Sequence, residues 1–475
     1  MAELLLMLVA FGCLLTLGKW RWGLALCILV AILQDPVRKV TPETPPYLTV
    51  AFVPIFLCMV VGLLRQGDPI RVFRFHFPEL TAPLVLFTIC LGCSFLTTLS
   101  YGLEAAPAAL LGLFSYAGAF PAVLLGFHYV RHDYREIEPP LVIFTVLTSL
   151  MLIGVVLEYR GVKFSAPWLG TIAMSEEWVR WYATGKAGIA MISGFYRSPE
   201  IMGWHAMLMV LVCAFLLLRR PSLAVVWIPL AAWGMYGVLL SGRRKMFVMV
   251  LVFLVMMLLQ VRGRLRVRLV AYVGAGGLVL AWILSGLTDE RYIAAAQSGL
   301  DVAGAKATEK GIGGPLWLTG LVGPFGYGVG TKTQGGQHLG RVVETPQVEG
   351  GFERIMVELG LVGTGAVAFL LWTTIRLVLK ELRLIRRSRF ETLVPITLVS
   401  ILVANLSAFL VAFQIFGDPF VVFILGFLGG TLLSASRLIR GPLESPSAVR
   451  RAMRQPRTPA VSSISPESGD LGQEP

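Results

Sequence analysis

Residues 201–260 read IMGWHAMLMVLVCAFLLLRRPSLAVVWIPLAAWGMYGVLLSGRRKMFVMVLVFLVMMLLQ, and this stretch decides the fold class. Three apolar runs, near 201–218, 222–240 and 246–260, are separated only by Arg219-Arg220-Pro221 and by Ser241-Gly242-Arg243-Arg244-Lys245. About 20 predominantly apolar residues are needed to cross the hydrocarbon of a bilayer as a helix. Helices that are apolar on every side have no face to turn toward water. The stretch therefore reads as consecutive transmembrane helices joined by tight polar turns.

The same pattern extends in both directions. Further runs lie near 3–18, 20–34, 47–64, 81–100, 107–130, 140–158, 269–286, 355–375, 391–413 and 418–436, which makes thirteen candidate spans. The expected fold is all-α, a polytopic bundle of about 12–13 spans over residues 1–440. Composition agrees: 56% of the 475 residues are hydrophobic and 15% charged, against about 45–50% and about 25% in ordinary soluble domains. A large soluble protein would lack the polar surface to coat so many apolar helices. Lys19-Trp20-Arg21 makes the first two spans a tight hairpin, and these basic residues follow the first apolar run, which argues against a cleaved signal peptide. Cys13, Cys27, Cys58, Cys90, Cys93 and Cys213 all fall inside apolar runs, as small core hydrophobes rather than a disulfide or zinc framework.

The formal net charge of +13 is what basic cytoplasmic loops facing anionic lipid produce, so nucleic acid is not an expected partner. With the N-terminus outside and the C-terminus inside, 25 of the 41 Lys and Arg fall on the cytoplasmic side. The positive-inside rule favours that orientation. The stretch 441–475, rich in Pro, Ser and Arg, is expected to be a disordered cytoplasmic tail.

Exceptions to the charge rule carry the functional information. The turn Ser241–Lys245 places three cations on the expected outer face, where they suit a multiply anionic group such as a lipid pyrophosphate; a span miscounted nearby would make it an ordinary cytoplasmic loop. Two long outer segments flank it. The first, 158–200, holds Trp168, Trp178, Trp181 and Tyr182 beside Glu176, Glu177 and Arg180, a mixture suited to an interfacial helix. It ends in Gly194-Phe195-Tyr196-Arg197-Ser198-Pro199-Glu200-Ile201-Met202-Gly203, with Arg197 at the mouth of a span. Such an arginine can also merely snorkel. The second, 287–354, opens with an amphipathic stretch at 289–310 and continues through glycine-rich residues 311–336. Gly326-Tyr327-Gly328-Val329-Gly330-Thr331 has neither the strand nor the crossover of a dinucleotide fingerprint, so no cofactor is expected. It reads instead as a mobile loop whose glycines permit close approach to a ligand. His338 and Glu349 are the proton-transfer candidates, with Arg341 and Arg354 nearby in the chain. No spacing of His, Cys or acidic residues suggests a metal.

At these residues the chain resembles the O-antigen ligase/polymerase (Wzy-like) superfamily of undecaprenyl-pyrophosphate-dependent membrane glycosyltransferases. Three elements match in order. They are Gly194 to Gly203, the turn Leu240-Ser241-Gly242-Arg243-Arg244, and Glu349-Gly350-Gly351-Phe352-Glu353-Arg354-Ile355-Met356-Val357-Glu358-Leu359-Gly360-Leu361-Val362-Gly363. The motifs cover about 190–375. Glu349 stands where ligases carry histidine and Gly350 where they carry asparagine, a departure that points toward the polymerase branch. The resemblance implies a bacterial inner-membrane enzyme with the arginine turn facing the periplasm. Its substrate would be an undecaprenyl-pyrophosphate-linked glycan, and a chain-length regulator and a flippase are candidate partners. Arg197, Arg243 and Arg244 would bind the pyrophosphate, Glu349 would be the base with His338 behind it, and Lys245, Arg341 and Arg354 would line the substrate loop. The alternatives are ligation of a finished glycan, transport of an envelope precursor, and a non-catalytic partner role.

Overall fold

The computed structural model describes residues 1–172, 182–184, 187–287, 317–332, 344–387 and 391–440. The helices in chain order are α1 (Ala2–Gly18), α2 (Trp22–Val40), α3 (Val53–Leu64), α4 (Pro69–His76), α5 (Thr81–Leu99), α6 (Ala106–Ala117), α7 (Ala119–Tyr129) and α8 (Glu138–Tyr159). They continue as α9 (Pro199–Arg219), α10 (Ala224–Leu240), α11 (Arg244–Gln260), α12 (Arg264–Leu287), α13 (Gly351–Arg387), α14 (Leu393–Val411), α15 (Pro419–Leu433) and α16 (Ala435–Arg440). The chain is an all-α, multi-pass membrane helix bundle. Among the described residues, ten helical stretches are long and apolar enough to cross a bilayer. Three of the thirteen expected spans fall outside that set for local reasons: α1 and α11 have 17 residues each, and α2 ends in Asp35, Arg38 and Lys39.

Several helices start by one device. Asp68-Pro69, Ser198-Pro199 and Asp418-Pro419 each place a capping side chain before a proline at the first helical position. The cap satisfies an amide that the helix itself cannot, and proline has no amide to satisfy there. Packing inside the bundle relies on glycine where backbones touch. A Cβ on Gly430 of α15 would lie 1.9 Å from the Val123 carbonyl of α7, and one on Gly126 would lie 2.0 Å from the Phe427 carbonyl. Small residues at helix contacts let dispersion act over the full backbone, a main source of helix association in lipid. α9 is buried on nearly all sides and forms the centre of the bundle. α12 leaves Leu278 and Trp282 exposed, a surface that lipid rather than water can cover.

Ion pairs sort the connectors into two ends. Arg21 meets Glu136 at 2.9 Å, Arg219 pairs with Glu138 and Glu391, and Lys380 meets Glu79 at 3.1 Å. At the opposite end Arg197 joins Asp35 to Asp418, and Lys245 meets Glu200. This is the alternation the span pattern predicts.

Two expectations about the long segments change. Tyr182–Thr184 and Ala187–Ile189 form an antiparallel pair, with Tyr182 opposite Ile189, instead of continuing an interfacial helix. The β-branched Thr184 and Ile189 favour the extended chain, and Gly188 disfavours a helix. Trp178, Trp181, the 289–310 stretch and the 441–475 tail lie outside the described residues. The described part of the glycine-rich segment is not a loop standing off the bundle. Gly326, Gly328 and Gly330 have φ of 70°, 99° and 93°, a region that L side chains rarely enter. The backbone there enters the bundle between α5, α6 and α13. A Cβ on Gly330 would sit 2.0 Å from the Ala108 carbonyl, and one on Gly328 2.4 Å from Thr98 Oγ1.

Candidate functional site

The turn between α10 and α11 is built by two small residues. Gly242 takes φ of 64°, which reverses the chain. The buried Ser241 hydroxyl donates to the Val238 carbonyl and accepts from the Arg243 amide at 3.1 Å. Gly203 of α9 lets that helix press against the turn, because a Cβ there would lie 2.9 Å from Ser241 Oγ. The Ile192 amide donates to the Leu240 carbonyl at 3.1 Å and draws the segment before α9 to the same place. Two sequence motifs thus become one surface.

Its cations differ in their surroundings. Lys245 Nζ pairs with Glu200 Oε1 and donates to Gln414 Oε1 at 3.2 Å. The Glu349 carboxylate lies near enough for its charge to act on Lys245. Half-buried Arg244 has no hydrogen-bond or ion-pair partner among the described residues.

Arg197 is clamped. Its Nη1 donates to Asp35 Oδ1 at 2.7 Å, Nη2 pairs with Asp418 Oδ2, and its own amide donates to Asp35 Oδ2 at 3.3 Å. The other oxygen of Asp418 accepts from the Phe420 and Val421 amides at 2.8 and 3.1 Å, capping α15. Beside the clamp, Glu158 Oε2 accepts from the amides of Gly194, Gly170 and Ser193 at 2.6, 3.2 and 3.3 Å. Lys39 Nζ donates to the Gly194 carbonyl at 2.7 Å. Burial pushes the Lys39 ammonium, which lies past the apolar end of its helix, down to about 8 against the pull of Asp35 and Glu158. Gly194 is required here: its φ is 60°, and a Cβ would lie 2.6 Å from the Val155 amide nitrogen.

The third group sits at the start of α13. Glu353 Oε2 accepts from the Glu349 and Gly350 amides at 3.0 and 2.9 Å, closing the helix N-terminus. Glu349 itself is exposed. One turn further, fully buried Glu358 accepts from Arg354 Nε at 3.0 Å, Tyr116 OH at 2.7 Å and the Lys332 amide at 2.9 Å. The Arg354 guanidinium lies 5.3 and 5.2 Å from the Tyr116 and Phe413 ring centres, where ring faces favour a cation. α13 breaks at Gly360 (φ 72°, ψ −172°). The freed carbonyls of Val357 and Glu358 accept the Tyr327 and Gly328 amides at 2.7 and 3.1 Å.

A connector the sequence reading passed over joins all three groups. In residues 412–418, the Phe413 amide donates to the Glu349 carbonyl at 3.1 Å, the Phe413 ring faces Arg354, Gln414 meets Lys245, and Asp418 meets Arg197. Arg197, Arg243, Arg244, Lys245, Glu349 and Arg354 therefore share one end of the bundle; His338 and Arg341 lie outside the described residues. Asp35, Glu200, Gln414, Asp418 and Glu358 were missed. Charges at the ends of apolar runs, as in Asp35 and Asp418, were the available signal. Among the described residues no group of three His, Cys, Asp or Glu side chains could hold a metal ion. The chain matches no model of a known protein family and none of the curated proteins.

Proposed function

We propose that this protein is a metal-independent glycosyltransferase of the bacterial inner membrane that polymerises undecaprenyl-pyrophosphate-linked oligosaccharide units on the periplasmic side. The observation that carries the reading is the convergence of the Gly194–Gly203 segment, the Ser241–Lys245 turn and the Glu349–Glu358 helix start on the 412–418 connector. The three elements behind the family resemblance are far apart in sequence and adjacent in space.

In this mechanism a sugar hydroxyl of the acceptor unit attacks the anomeric carbon of the donor. The glycosidic bond to pyrophosphate breaks as the new one forms, and negative charge accumulates on the leaving phosphate oxygens. Fixed guanidinium groups offset that charge because they are planar, permanently charged and bidentate toward phosphate. Arg244, unpaired among the described residues, and its neighbour Arg243 are the groups proposed for this role. Arg197 already faces two carboxylates, so its role is to fix the mouth of α9 under the turn. Glu349, exposed at the start of α13, accepts the hydroxyl proton. The test is polymer synthesis by the Arg243→Ala and Arg244→Ala variants. Full-length polymer from both, at normal membrane abundance, overturns the reading.

One observation favours a second reading, transport of an envelope precursor. Broken helices with polar groups at depth are typical of transporters, and α13 breaks at Gly360 beside buried Glu358. Purified protein in sealed vesicles separates the two. Polymerisation extends lipid-linked units with no ion gradient, whereas a transporter moves them across without extension.

A further inference from the structure

The end opposite the proposed site contains a second polar feature. A cavity of about 560 Å³ lies between the loop leading into α4, the end of α7 and α16. Its lining includes Arg131, His132, His128 and Arg437 against a single carboxylate, Asp68. That carboxylate is engaged, since Asp68 Oδ1 accepts the Arg71 amide and caps α4. The nearby Glu136 is engaged too, with Arg21 at 2.9 Å and the Arg131 and His132 amides at 3.0 and 2.9 Å. Arg437 Nη2 donates to the Phe127 carbonyl at 2.9 Å and to that of Val130, which fixes its guanidinium in the wall. Arg131 is exposed, and its guanidinium is held among the described bonds by a 3.4 Å contact with Gln66 Oε1. The cavity is therefore a roomy pocket in which two guanidinium groups, Arg131 and Arg437, face one carboxylate.

Its position adds a second constraint. α4 buries Phe73 and exposes Ile70, Val72 and Phe75, with Arg71 and Arg74 also at the surface. A short helix with exposed apolar and basic residues at the end of a membrane bundle lies in the headgroup layer. The pocket beneath it thus opens where phosphate groups are most concentrated.

We propose that this cavity binds a phosphoryl group, with Arg131 and Arg437 as its charged ligands and the α4 loop as its rim. Two sources share that chemistry, an anionic phospholipid headgroup and free phosphate. The experiment uses the full chain purified in detergent and follows its unfolding temperature with three probes: dihexanoyl phosphatidylglycerol, dihexanoyl phosphatidylcholine and inorganic phosphate. A ligand that binds only the folded state raises that temperature with concentration. Stabilisation by phosphatidylglycerol alone assigns the site to a lipid headgroup; stabilisation by inorganic phosphate as well assigns it to the free anion. In both cases Arg131→Gln weakens the response about tenfold in probe concentration, as loss of one charge-assisted hydrogen bond predicts. Arg437→Gln, in a preparation whose unliganded unfolding temperature matches wild type, does the same. No stabilisation by either anionic probe, equal stabilisation by phosphatidylcholine, or an unchanged response in Arg131→Gln overturns the proposal.

Discussion

Arg197 and Asp418 are 221 positions apart in the chain and joined by an ion pair in the fold. One oxygen of Asp418 holds the guanidinium while the other caps α15. The same guanidinium reaches Asp35 at 2.7 Å. A single arginine therefore ties together the ends of α2, α9 and α15. Its removal leaves two buried carboxylates without the guanidinium that joins them.

Arg197→Ala is accordingly expected to destabilise the protein by about 3–5 kcal/mol, the range for breaking a buried ion pair from one side. Arg197→Lys recovers only part of this, because an ammonium cannot serve two carboxylates with a planar fork. Thermal unfolding in detergent ranks the three proteins wild type, Lys, Ala. If Ala and wild type unfold together, the clamp is not structural.

Glu358→Gln tests the group at the break in α13. The carboxylate accepts from Arg354, Tyr116 and the Lys332 amide, and its loss leaves the Arg354 charge buried against a neutral amide. A cost of roughly 2–5 kcal/mol is expected, read as a lower unfolding temperature and reduced folded yield. Glu79→Gln, at an exposed pair with Lys380, is the control and stays within about 1 kcal/mol of wild type.

The glycines offer paired tests in which two glycines of one segment behave oppositely. Gly330→Ala meets the Ala108 carbonyl at 2.0 Å at a φ of 93°, while a Cβ on Gly320 meets nothing within 4 Å. Likewise Gly430→Ala meets the Val123 carbonyl at 1.9 Å and Gly429→Ala meets nothing. Overpacking of this kind costs about 1–3 kcal/mol or more. Folded yield by size-exclusion profile is expected to fall for positions 330 and 430 and to hold for 320 and 429.

The helical bundle and the place of the arginine turn were legible because hydropathy acts along the chain. Runs such as 222–240 and 246–260 declare themselves locally, and so does the turn between them. The clamp was not legible, because it joins positions 35, 197 and 418, and hydropathy does not say which span ends adjoin. Asp418-Pro419 carried a helix-start signal, yet its second task toward Arg197 exists only in three dimensions. The Gly326–Thr331 stretch misled for a related reason. Glycine marks both loose loops and places where backbones touch, and only Ala108, Thr98 and Gly360 reveal the second case.

In the proposed mechanism Arg244 meets the charge of the leaving pyrophosphate. It has no ion-pair partner among the described residues, so its loss separates activity from stability. The most direct measurement is polymerisation of a purified lipid-pyrophosphate-linked repeat unit by wild type and Arg244→Ala, with unfolding temperature recorded on the same preparations. A rate loss of about a hundredfold or more is expected, at an unchanged unfolding temperature. Wild-type turnover by the variant contradicts it.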